Sequence, residues 1–101
     1  MQLTARQLLT IISEAALENT LLRDIEELGA TGYTITDARG KGGKRGLRDA
    51  TWAPHANIRL EVLCDVEVAH AIWSALHERY YDNYSMVMYL SEVNVLRPEK
   101  F

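Results

Sequence analysis

The chain holds a single cysteine, Cys64, so it can form no internal disulfide, and a lone thiol fits a reducing cytoplasm. Cys64 stands in an alternating apolar run, the setting of a buried, inert side chain rather than a nucleophile. No apolar run approaches the ~20 residues needed to cross a bilayer. Only Arg6 precedes the first short apolar stretch and no small-residue cleavage site follows it, so no signal peptide is expected. Histidine is scarce as well. His70 and His77 lie on one predicted helix with no third ligand near them, and His55 follows Pro54 in a polar stretch, so none of the three reads as a metal ligand. The sequence also lacks GxxxxGK[ST], which excludes a P-loop.

What remains is a chain of 101 residues, 48% apolar and 25% charged, the balance of one ordered domain spanning residues 1–101. The net charge of −3 hides an asymmetry. Residues 39–48 carry Arg39, Lys41, Lys44, Arg45 and Arg48 and no acid, leaving six basic residues against fourteen acidic ones elsewhere. An acidic body with one basic segment is suited to gripping a small anion and poorly suited to wrapping nucleic acid.

Residues 8–13 (LLTIIS) read as a buried strand. Leu17, Leu21, Ile25 and Leu28 then recur at helical spacing, and Gly29 is placed to end that helix as its C′ residue. Residues 32–36 form a second strand rich in β-formers. Ile58, Leu60, Val62 and Cys64 alternate with Arg59, Glu61 and Leu63 in a third strand. Asp65 is placed to cap a second helix with Ala69, Ile72, Trp73 and Leu76 on its apolar stripe, and residues 85–96 make a last strand. The order βαββαβ is that of an α+β, ferredoxin-like fold: a four-stranded antiparallel sheet with both helices on one face. On the last strand Val87, Tyr89, Val93 and Val95 face one way, and Met86, Met88, Leu90 and Leu96 the other. Two apolar faces need two covers, and two helices supply one, so the open face predicts self-association.

Between the second and third strands, residues 38–56 form a long loop of no period, the kind that in so small a domain carries function. Its segment Gly40-Lys41-Gly42-Gly43-Lys44-Arg45-Gly46-Leu47-Arg48 combines glycines, whose successive N–H groups can line an anion nest, with arginines that bind phosphate bidentately. Tyr80, Tyr81 and Tyr84 with Trp73 read as packing aromatics. Glu61 and Asp65 have no nucleophile or electrophile placed with them.

These residues also carry a family likeness. Gly29-Ala30-Thr31-Gly32-Tyr33-Thr34 leading to Gly40-Lys41-Gly42 resembles the GAxGYT…GKG start of PII-like signalling proteins. An R-x-x-R pair after GKG, here Arg45 and Arg48, is similar to the branch tied to bicarbonate transporters and carboxysomes. Ala56-Asn57-Ile58-Arg59-Leu60-Glu61 and Tyr80-Tyr81-Asp82-Asn83-Tyr84 extend the match. The resemblance implies a cytoplasmic, non-enzymatic homotrimer with adenine-nucleotide sites, ADP or AMP favoured, in the clefts between subunits. It implies phosphate contacts from Gly40, Lys41, Gly42, Arg45 and Arg48, with Thr34 nearby and Met88, Tyr89 and Leu90 along the adenine pocket. Bicarbonate would sit by Lys41, Gly43 and Lys44, and the loop, called the T-loop in that family, would dock on a membrane transporter or carboxysome-related protein. No metal or further cofactor is implied. The chain departs from nitrogen-regulatory PII proteins in three ways. It has no glutamine beside Lys41 for 2-oxoglutarate and magnesium, no second glycine-rich loop TGxxGDGKI, and no tyrosine in the T-loop for uridylylation.

Two other classes compete. A small ferredoxin-like enzyme acting on a phosphorylated molecule would need a general acid or base, and the basic segment offers none. An RNA-binding module would carry aromatics on the third strand, and residues 58–64 have none.

Overall fold

Apolar side chains alternate along the strands and recur every three to four residues along the helices, and the structure follows both periods. It is a computed structural model that describes residues 2–40 and 56–97. The chain runs β1 (Thr4–Glu14), a short 3-10 turn (Ala15–Leu17), α1 (Glu18–Glu27), β2 (Thr34–Ala38), β3 (Asn57–Cys64), α2 (Val66–Tyr80) and β4 (Val87–Val95). The strands form one sheet in the order β2-β3-β1-β4, every neighbouring pair antiparallel. This is the βαββαβ, ferredoxin-like architecture expected.

Leu9 and Ile11 of β1, Leu60, Val62 and Cys64 of β3, Met86 just before β4 and Met88 within it meet Leu21 and Ile25 of α1 and Ala69, Ile72 and Leu76 of α2. None of these twelve side chains is more than 6% exposed. Both helices therefore lie on one face. Burial, with the Asp65 carboxylate beside it, pushes the Cys64 thiol above its ordinary range, so it is a packed side chain and not a thiolate.

The helix ends follow local chemistry. The Asp65 Oδ1 accepts from the Val68 N–H at 2.9 Å and caps α2. Gly29 sits at φ +112° just past α1, where its N–H donates to the Glu26 carbonyl at 3.2 Å and the Ala30 N–H to the Ile25 carbonyl at 2.9 Å. That pair of bonds is a Schellman closure, which favours glycine. A Cβ at Gly29 would also stand 3.2 Å from Val68 Cγ2. Gly29→Ala is expected to cost about 1–3 kcal/mol, measured by urea denaturation; an unchanged midpoint would show that the turn relaxes freely.

The two helices are also joined at their polar edges. The Tyr80 hydroxyl donates to Asp24 Oδ2 at 2.5 Å, and Arg79 pairs with Asp24 Oδ1 at 3.3 Å. Burial and that hydrogen bond push the Tyr80 phenol up to about 12, so it remains a donor throughout the neutral range. The strands run a little differently from expectation. β1 begins earlier, at Thr4, because Thr4 to Gln7 pair with Glu92 to Val95 of β4, a partnership invisible in a local apolar run.

Candidate functional site

The sheet face away from the helices is built from the alternate residues of each strand. Register places Thr34 of β2 opposite Glu61 of β3, Glu61 opposite Thr10 of β1, and Thr10 opposite Tyr89 of β4. These four side chains make one straight row across the whole sheet. The next row toward the loop end is Thr36, Arg59, Ile12 and Val87. The face is thus divided: threonines and the Arg59–Glu61 ion pair, 2.9 Å apart, on β2 and β3, and Leu8, Ile12, Val87, Tyr89 and Val93 on β1 and β4. Tyr89 is 44% exposed and Val87 36%, so among the described residues this side of the sheet has no cover. Thr10 is fully buried in it, with no partner for its hydroxyl among the described residues, and the Asn57 Nδ2 is likewise buried without a partner among them. The sequence reading did not single out Thr10. Its signal is a hydroxyl residue inside the apolar run 8–13, which Ser13 closes, legible only as an interruption.

Among the residues expected at the site, Thr34 is exposed on β2 and Gly40 is exposed beyond its end. Lys41, Gly42, Gly43, Lys44, Arg45 and Arg48 lie outside the described residues. The two ends of the 38–56 loop are placed, however. Ala38 stands opposite Asn57, and the Ala56 carbonyl accepts from the Ala15 N–H at 2.7 Å, which ties the return of the loop to the end of β1. Met88 packs inside the core and Leu90 is half-buried, so of the three β4 residues only Tyr89 offers its side chain to solvent.

Thr34 and Tyr89 belong to the two outer strands, β2 and β4. Three strand spacings separate them, about 14 Å. One chain therefore does not bring its own expected adenine strand to its own loop edge.

The turn from α2 into β4 lies at the same end of the sheet as the loop. It is held by Asn83 and Tyr84 N–H groups donating to the Tyr80 carbonyl at 3.1 and 3.0 Å, and by Met86 N–H to the Tyr84 carbonyl at 2.9 Å. The Tyr84 ring meets Tyr80 edge-on at 5.8 Å, and the Met88 N–H donates to the Tyr81 hydroxyl at 3.1 Å. Tyr80 and Tyr81 pack against the core, as the sequence suggests, while Tyr84 is exposed.

At the opposite end of the sheet a cavity of about 370 Å³ is lined by Arg6, Gln7, Asp65, Val66, Glu67 and Glu92. Three carboxylates against one guanidinium repel phosphate, so it is no rival for the basic loop. His70 and His77 are exposed on α2, and among the described residues no group of His, Cys, Asp and Glu converges as a metal site. Glu61 is taken up by Arg59 and Asp65 by its helix cap, and the two do not form a pair. No helix among the described residues is long and apolar enough to cross a membrane.

A ferredoxin-like sheet with one open face, interrupted between β2 and β3 by a long basic loop, is the architecture of PII-type regulatory proteins. The sequence profile of nitrogen regulatory protein P-II matches residues 6–100, and the chain belongs to that family. It is similar to a PII-like signalling protein of Thermus thermophilus, with 41% identity, a TM-score of 0.81, and 99% and 98% of the two chains covered. It is also similar to CPII of Thiomonas intermedia, solved with ADP and bicarbonate, with 25% identity, a TM-score of 0.84, and 99% and 97% covered. The GlnK–ATP complex of B. subtilis shares the fold at 12% identity and a TM-score of 0.71, with 96% of each chain covered.

Proposed function

We propose that this protein is a PII-like regulator, not an enzyme. It binds ADP or AMP in clefts between the copies of a homotrimer, takes up bicarbonate beside the nucleotide, and docks its 38–56 loop on a target that controls the uptake or fixation of inorganic carbon. The observation that carries this reading is the placement of Thr34 and Tyr89 on the two opposite outer strands, with the basic loop leaving from β2. Head-to-tail contact around a three-fold ring sets the β4 edge of one copy against the β2 edge of the next, and closes three equivalent sites. The apolar lane of β1 and β4 supplies the surface to be buried.

Phosphate contacts fall to Gly40, Lys41, Gly42, Arg45 and Arg48, and the bicarbonate contacts to Lys41, Gly43 and Lys44. Five basic residues and a glycine nest exceed what one or two phosphates require, which leaves room for a second small anion. CPII solved with ADP and bicarbonate together supports the pairing of ligands. The resemblance of the Arg45/Arg48 pair to the bicarbonate-linked branch supports the link to inorganic carbon.

Two ligands that order one loop share the ordering cost, so each tightens the other by the same factor. Calorimetric titration of ADP, AMP and ATP at fixed pH and ionic strength, with bicarbonate exchanged for chloride, tests the reading. Tighter ADP or AMP binding in bicarbonate is the expected result. Equal affinities in both salts would remove bicarbonate from the mechanism, and absence of binding in both would remove the nucleotide as well.

A further inference from the structure

We propose that Tyr81 is a positioning residue for the base end of the nucleotide site, acting through the backbone of β4; the inference rests on the nucleotide reading above. β4 is an outer strand, paired with β1 on one side only. The Met88 N–H turns away from β1 and donates to the Tyr81 hydroxyl at 3.1 Å. That bond fixes the edge of the strand one residue before Tyr89, an exposed side chain of β4, and two before Leu90.

Tyr81 is itself held at both ends. Its N–H donates to the His77 carbonyl at 3.3 Å, its ring packs on the His77 ring with centroids 5.0 Å apart, and its body is half-buried against the core. The turn that follows is closed by the Tyr80 and Tyr84 carbonyls described above. The phenol is thus a strut of fixed length between the end of α2 and the strand. Phenylalanine keeps the ring packing and removes the strut. The Met88 amide then turns to water, and the first residues of β4 are free to shift on the side where the neighbouring copy meets them. A site whose walls are set before the ligand arrives loses affinity when a wall is loosened.

The test compares Tyr81→Phe with Tyr80→Phe in the full-length protein, using displacement of a fluorescent ADP analogue by adenosine and by ADP. Tyr80→Phe also removes a phenolic hydrogen bond, but one that the hydroxyl donates to the Asp24 carboxylate of α1, away from β4. Tyr81→Phe is expected to weaken adenosine and ADP by the same factor, about fivefold, the equivalent of one lost neutral hydrogen bond. Equal loss for the two ligands places the effect at the base, because adenosine has no phosphate. The Met88 amide resonance should move in the free protein. Tyr80→Phe is expected to lower the melting temperature and leave both affinities unchanged.

Unchanged affinities in Tyr81→Phe, loss for ADP alone, or an equal loss in Tyr80→Phe would each overturn the assignment while leaving nucleotide binding intact. A wild-type protein that binds neither ligand would overturn both readings together.

Discussion

Replacing Arg45 and Arg48 together with alanine is expected to weaken ADP binding by about a hundredfold to ten-thousandfold while the protein stays folded. Each charge-assisted phosphate contact is worth about 1.5–3 kcal/mol, and every 1.4 kcal/mol or so is a tenfold change in affinity. The loss should shrink from ADP to AMP, which has one phosphate fewer to grip, and vanish for adenosine. It should also shrink at high salt, because the grip is electrostatic. Calorimetry with the three ligands measures it. Unchanged ADP affinity would show that the loop is not the phosphate grip. An equal fall in the melting temperature of the ligand-free protein would make the arginines structural instead.

The second large effect concerns assembly. Val87→Asp is expected to convert a trimer into monomers and to abolish nucleotide binding with it. Val87 is 36% exposed in the single chain and neighbours Ile12 across β1 and β4, so an aspartate there is solvated before association and the fold tolerates it. In the ring the same carboxylate would be buried without a partner, at a cost of several kcal/mol, and it would recur in every interface. Light scattering at micromolar concentration reads the mass, and circular dichroism checks the fold. A trimer that survives this substitution with full affinity would show that the open face is not the interface. A wild-type protein of monomer mass would remove the intersubunit site altogether.

The two effects separate the parts of the proposal, because one strips charge from the ligand grip and the other strips the neighbour from the cleft. Both converge on the same loss of binding if the site lies between copies. Only the second changes the mass.

Much of the fold was legible in the sequence because it depends on local chemistry. Alternation along 58–64 exposed a strand with one buried face. The spacing of Leu21 and Ile25 marked α1, Gly29 marked its end, and Asp65 marked the cap of α2. Each of these is decided within a few residues, by period, by the freedom of glycine at positive φ, or by a carboxylate within reach of free N–H groups. The charge of the 39–48 segment was legible for a simpler reason, since charge is a matter of composition. The spare apolar face of β4 was legible too, because period 2 sorts side chains onto two faces whatever the strand pairs with.

Tertiary structure alone decided which strands are neighbours. The order β2-β3-β1-β4 sets Thr34 and Tyr89 on opposite outer strands. It sinks Thr10 in the middle of the open face, and it withdraws the Met88 side chain into the core while leaving its backbone for Tyr81 to hold. None of this follows from spacing along the chain. Register between strands some fifty to eighty residues apart, as in Thr10 with Glu61 and Thr10 with Tyr89, is chosen by the packing of the whole sheet under two helices. What the sequence by itself determined is therefore the set of elements and the charge of the loop. What only the packed sheet decided is where those elements meet, because contact between distant strands is a property of the assembled core and not of any local run of residues.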